Sequence, residues 1–254
     1  MTEKQNGAKM SRRKFIRNSG LVAGGLVGGG LVGGLIGVNA REGQIAGDGG
    51  NGEEQGHNEI NHQEAPLYFT NYEMFSVLSD AVERIFPETE SGPGAIALGV
   101  PFFIDHQLAG AWGYNTREYM QGPFSPGSDY QGYQSPLKRH EVFDVGLQAL
   151  QTYTRDTYDA GSFVELEEEQ KDEVLQAFET NEVELHGVTS NTFFSLLRAA
   201  TLEGVYADPA YGGNKNMDGW RMKSFPGHQM AYIDQIESEE FVEIEPTGLH
   251  AYTD

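Results

Sequence analysis

The chain has 254 residues, with 38 Asp and Glu against 17 Lys and Arg, a formal charge of −21. That balance excludes a nucleic-acid surface, because phosphate contacts need clustered cations. It has no cysteine, which excludes disulfides, thiolate nucleophiles, Cys-ligated iron–sulfur clusters and covalent haem attachment within this polypeptide. The length allows one ordinary domain with tails, or two small ones.

Residues 1–40 hold six basic groups and one acidic, so the remainder carries 11 basic against 37 acidic, a net −26. Carboxylates in that number keep a surface soluble and say nothing by themselves about a reaction. Ser11-Arg12-Arg13-Lys14-Phe15-Ile16 precedes a weakly apolar run from Gly20 to Val38 that ends Val38-Asn39-Ala40. Paired arginines, a moderately hydrophobic segment and a small residue at a cleavage position read as a twin-arginine export signal over 1–40, with Arg12, Arg13 and Phe15 as targeting residues. The expected partner is the twin-arginine translocase, and the destination the periplasm or the outer face of the cytoplasmic membrane. Nine of the 18 residues from Gly20 to Gly37 are glycine, which weakens a spanning helix. Cleavage after Ala40 and retention as an anchor both stay open. Gly28, Gly30 and Gly33 fit G-x-G-x-x-G literally, yet a dinucleotide site needs a strand before and a helix after, and neither is present.

Residues 41–66 are rich in Gly, Glu, Asn and Gln and read as a disordered acidic linker. His57 and His62 lie in it without a folded frame for a metal. The folded domain is expected over 67–230. Thr70 and Glu73 suggest a capping box, and Phe69 with Met74 a hydrophobic staple. Met74, Phe75, Val77, Leu78, Ala81, Val82 and Ile85 recur at helical spacing as far as Pro87. Gly94 to Leu98 starts a short helix that Pro101 restarts and Gly110 ends. Asp105-His106 is the only adjacent acid–histidine pair in an apolar setting. A carboxylate-oriented base is one reading; a carboxylate capping a nearby turn is the other, since neighbours on a helix point about 100° apart.

Trp112 to Gln134 is a long loop with Tyr114, Tyr119, Phe124, Tyr130 and Tyr133 among its glycines and prolines, too aromatic for a solvated connector and long enough to be functional or interfacial. Ser135-Pro136 suggests the start of a third helix as N-cap and first residue, with Leu137, Phe143, Leu147 and Leu150 in a stripe ending near Tyr158. Leu166, Val174, Leu175 and Phe178 mark a fourth, opened by Glu167-Glu168-Glu169, which complements a helix N-terminus. Ser190 is placed as cap of a fifth, with Phe193, Phe194, Leu196, Leu197, Ala200 and Thr201 inside. Residues 231–254 form an acidic tail with weak β-type alternation at Phe241, Val242 and Ile244, expected outside the domain. The fold class is therefore all-α: a single domain of about five helices with long Gly, Pro and aromatic-rich loops.

His106, His140, His186 and His228 show no metal-ligand spacing on a shared helix. There is no nucleophile elbow and no P-loop, and nothing that holds a flavin, nicotinamide or haem in a recognisable way. No cofactor, metal or catalytic residue is therefore assigned to this chain.

Between Ala207 and Gly227 the chain reads ADPAYGGNKNMDGWRMKSFPG. Its prolines and glycines break both helix and strand, while Tyr211, Trp220 and Phe225 argue for an ordered loop. With GAIALGVPFFIDHQLAG (Gly94 to Gly110) and YMQGPF (Tyr119 to Phe124), this loop resembles the C-terminal motif of the gluconate 2-dehydrogenase subunit 3 family, the small subunits of membrane-bound flavin dehydrogenases. The resemblance covers about residues 70–230. It implies a non-catalytic accessory subunit beside a large FAD-containing subunit of the glucose–methanol–choline type and, usually, a multihaem cytochrome c subunit. FAD and haem c would then belong to the partners, and the folded flavoprotein would be exported bound to this chain's signal. Asp208, Tyr211, Gly212, Gly213, Asn214 and Trp220 are the residues expected to form the docking loop. Two other readings are a stand-alone exported enzyme using Asp105 and His106 or the glycine loop, and a structural protein anchored through residues 20–38.

Overall fold

The computed structural model describes residues 64–252, apart from 126, 129, 132, 133, 234 and 241. The export signal, with Arg12, Arg13 and Phe15, the glycine run and nearly all of the linker lie outside the described residues.

The first helix, α1 (Tyr72–Ile85), buries Phe75, Val77, Leu78, Ala81 and Val82, the stripe expected from its spacing. Its cap is Asn71, whose side chain accepts the Glu73 N–H at 3.0 Å. The capping box expected at Thr70 is displaced by one residue, because an Asn in extended backbone caps at least as well as a Thr. Pro87 then prevents continuation. Residues 95–99 form successive turns instead of a helical start. Gly99 sits in the left-handed region at φ 77° and separates those turns from α2 (Val100–Ala109), which has Pro101 in its first turn. A residue at that φ cannot lie inside a right-handed helix, so the two pieces stay distinct.

Helix α3 (Arg139–Tyr158) begins later than Ser135-Pro136 suggested. The Glu141 carboxylate accepts the Lys138 N–H at 2.7 Å, whereas Ser135 closes only a local turn with the Leu137 N–H. Helix α4 (Glu168–Glu179) buries Val174, Leu175, Ala177 and Phe178. Helix α5 (Ser190–Tyr206) is capped by Thr189, which accepts the Thr192 N–H, so Ser190 is the first helical residue and not the cap. A single-turn helix, α6 (Asp218–Arg221), lies in the loop that follows, between 3-10 turns and bends. The described residues contain no strand, and the fold is all-α, as expected.

Helix α5 is the centre of the packing and touches α1, α2, α3 and α4. Its Phe193 ring meets Phe143 of α3 and Phe178 of α4 edge-on, both at 5.8 Å, a favoured aromatic geometry. Gly146 makes this approach possible, since a Cβ there would run into the Phe193 ring. On the surface, Arg84 of α1 spans Glu168 and Asp172 of α4, each at 2.7 Å. Partly exposed pairs of this kind add little to stability but hold orientation.

Candidate partner-docking site

The loop from Ala207 to Gly227 is ordered by its own polar groups. Asn214 is fully buried. Its Nδ2 donates to the Ala207 carbonyl and its Oδ1 accepts the Gly219 N–H, both at 2.8 Å. One side chain thereby joins two points of the loop. Trp220 lies inward and donates from Nε1 to the Tyr206 carbonyl at 2.8 Å. Lys215 donates its backbone N–H to the Leu98 carbonyl at 3.0 Å, fastening the loop to the turn before α2.

Two glycines let this backbone lie directly on α5. A Cβ on Gly213 would strike the backbone of Gly204, and one on Gly219 would strike the Val205 carbonyl. Asn214, Asn216, Met217 and Ser224 all adopt positive φ. For non-glycine residues this costs of order 1 kcal/mol each and persists only where surrounding structure dictates it. A hydrogen-bonded frame of this density supplies that constraint. Asp208 works in two directions: Oδ1 accepts the Ala210 N–H and Oδ2 accepts the Leu249 N–H, both at 2.9 Å. Of the six residues assigned to docking, Gly213, Asn214 and Trp220 are buried in the chain's own fold, Asp208 clasps the tail, and Gly212 turns the chain at φ 93°. Tyr211 faces solvent, 57% exposed.

A second element reaches the same region. Asp105 is 0% exposed, and its carboxylate accepts the backbone N–H groups of Leu67, Tyr68 and Phe69, the last at 2.8 Å. Its neighbour His106 meets the Ala65 carbonyl through Nε2 at 2.9 Å, so Nε2 carries the proton. Lys215 pairs with Glu64 at 2.7 Å. Residues 64–69 thus form a strap held by α2 on one side and by the loop on the other. Burial raises the Asp105 carboxyl above its ordinary range, against the opposing pull of the Phe69, Leu67 and Tyr68 amides and of His106. Both members of the acid–histidine pair are committed to the strap backbone. A carboxylate capping a nearby turn is the reading that this geometry matches, and a base oriented by its neighbour is not.

Tyr68, within the strap, donates its hydroxyl to Asp144 of α3 at 2.7 Å. Burial, followed by that hydrogen bond, pushes the phenol well up, so it stays a neutral donor. The aromatic loop divides in two. The Tyr114 ring lies tilted against His140 with centroids 4.4 Å apart, and Arg139 lies over Trp112 at 5.0 Å while pairing with Glu118 at 2.7 Å. Buried Asn115 accepts the Arg139 N–H through Oδ1. Tyr119 and Tyr130 are exposed, so the described part of the loop that was expected to be functional or interfacial packs through Trp112 to Glu118 and presents these two tyrosines to solvent.

Sequence reasoning missed the tail. The His228 N–H donates to the Thr247 carbonyl at 2.7 Å, and the Thr247 N–H returns to Pro226 at 3.2 Å. Residues beyond 231, expected outside the domain, are stitched to the loop's end. No helix among the described residues is long and apolar enough to cross a membrane, and none of their His, Asp and Glu side chains group in threes suited to a metal ion.

Residues 73–227 match the family described as gluconate 2-dehydrogenase subunit 3. No curated protein and no solved structure matches the chain. The matched stretch takes in α1 from its second residue, α2 to α5 and the whole of the glycine-rich loop, more than half of the polypeptide. The chain therefore belongs to the gluconate 2-dehydrogenase subunit 3 family, whose members are subunits of gluconate 2-dehydrogenase complexes.

Proposed function

We propose that this chain is a non-catalytic accessory subunit that escorts a folded, FAD-loaded dehydrogenase subunit through twin-arginine export and stabilises it afterwards. The observation that carries this reading is the construction of the family-matched loop. Trp220, Gly213 and Gly219 seat it on α5 and Asn214 ties it to itself, while Tyr211 is held outward. A surface preorganised in this way loses little conformational entropy when a partner binds.

The strap supports the same reading. Residues 64–69, which include the last residues assigned to the linker, are pinned beside that loop through Lys215 and Glu64, and the proposed signal precedes them in the same chain. The flavin sits in the partner, a large subunit of the glucose–methanol–choline type. Where the complex includes a cytochrome c subunit, haem c carries the electrons onward. The site of action is the outer face of the cytoplasmic membrane or the periplasm. A flavoprotein must fold around its cofactor before translocation, which explains why a cysteine-free helical chain would carry a signal for folded cargo.

The test is the double substitution Arg12→Lys and Arg13→Lys in the native host, followed by cell fractionation and a flavin absorbance scan of each fraction. Both this chain and the flavoprotein should remain in the cytoplasm. Normal export of the flavoprotein would refute the escort role.

A further inference from the structure

Beyond Gly227 the family match ends, yet the chain there builds a surface of its own. The tail is fixed to the loop by the His228 and Thr247 backbone bonds, by Gln229 donating to the Pro226 carbonyl at 2.9 Å, and by Asp208 accepting the Leu249 N–H. Between the loop's end and this tail opens a groove of about 740 Å³. Phe225, Tyr232, Ile236 and Val242 line it, and all four are exposed, Ile236 by 74%. Clustered exposed apolar side chains beside a concavity mark an interaction surface.

The charge around the groove narrows the choice of occupant. Glu240, Glu243 and Glu245 lie on its lining, and the cation among the described lining residues, Arg221, is already held by Asp218 and Glu245. None of the ion pairs among the described residues engages Glu240 or Glu243. A second copy of this chain, packed about a two-fold axis, would set the same carboxylates against each other. Anionic lipid headgroups would be repelled in the same way. An apolar segment flanked by Lys or Arg satisfies both the floor and the rim.

We infer that this groove docks a segment of the flavoprotein partner that presents apolar side chains between basic ones. The inference rests on the accessory-subunit reading above and extends its docking surface from Tyr211 across the loop's end into the tail. Apolar anchors supply the affinity, and the carboxylate rim supplies orientation and a salt-sensitive association rate.

The test uses the full chain purified from its native host, with the captured partner identified by its flavin absorbance and its mass. Two variants are compared with wild type: Ile236→Glu, and Glu240→Lys with Glu243→Lys. Each alters exposed side chains, and unfolding curves that superimpose on wild type exclude misfolding. Ile236→Glu should weaken capture at least about tenfold. The charge reversal should slow association and flatten its dependence on salt. If wild type captures the flavoprotein and both variants do so within about twofold of it, the groove is not the docking site and the accessory-subunit reading survives. If wild type captures no flavoprotein, that reading fails and the groove assignment falls with it. Loss, in Ile236→Glu, of self-association by light scattering, or of binding to phosphatidylcholine–phosphatidylglycerol vesicles, with flavoprotein capture intact, would also overturn the assignment.

Discussion

Replacing Asp105 tests whether the strap is structural. Its carboxylate serves three backbone N–H groups, of which only that of Phe69 makes a fully buried bond. In Asp105→Ala the Phe69 donor is left without an acceptor, at a cost of about 1–3 kcal/mol, and the two others lose bonds that water can partly replace, at about 0.5–1 kcal/mol each. Removing a buried charge returns part of this. The net loss expected is about 3 kcal/mol, or roughly 9 °C in Tm for a domain of this size. Asp105→Asn keeps one oxygen acceptor but turns an NH2 toward an N–H, so its loss should be smaller, about 1–2 kcal/mol.

The assay is thermal unfolding combined with hydrogen exchange at Leu67, Tyr68 and Phe69, whose protection should collapse in the Ala variant while that of α4 persists. The carboxyl is raised in the folded state. It therefore contributes most below the ordinary carboxylate range, and the contribution declines as pH rises through the raised value. The advantage of wild type over Asp105→Asn should shrink across that window. Unchanged stability in Asp105→Ala, within about 0.5 kcal/mol, or retained protection of the three amides, would refute the strap.

Other substitutions probe the packing and the loop. Gly146→Val should cost about 3 kcal/mol or more in urea unfolding, because its branches would occupy the space of the Phe193 ring; a neutral result would mean that α3 and α5 are not this close. Asn214→Ala removes the Ala207 and Gly219 bonds and places alanine at φ 46°. It should lower stability by about 2–4 kcal/mol and raise exchange throughout 207–227, with weaker flavoprotein capture as the functional readout. Tyr211→Ala, at an exposed position, should leave Tm unchanged while reducing that capture; equal capture would remove Tyr211 from the interface.

Helices α1 to α5 were legible from residue spacing because each buries a stripe recurring at 3.6 residues, as Phe75, Leu78 and Val82 do on α1. The caps were less so. Asn71 and Thr189 cap their helices in place of the adjacent Thr70 and Ser190, because the backbone angle at which the chain enters decides between neighbouring capable residues. Helix α3 begins after Lys138 without a side-chain cap, the Lys138 N–H being taken by Glu141. At Asp105 the residue was legible as notable and its task was not, since its partners lie 36 to 38 positions earlier. Asn214 and Trp220 were legible as members of an ordered loop, and the bonds by which they hold it together from within were not.

By itself, the sequence determined the helical class, the acidic surface, the absence of thiol chemistry and the family motif. These follow from composition and from patterns confined to short stretches. Only the tertiary structure decided which polar side chains serve the fold and which face outward, and that the tail returns to Asp208, 41 residues before its partner Leu249. Hydrogen bonds between distant segments satisfy groups whose need is invisible locally: a buried amide must find an acceptor somewhere, and the periodicity of neither segment records where that acceptor lies.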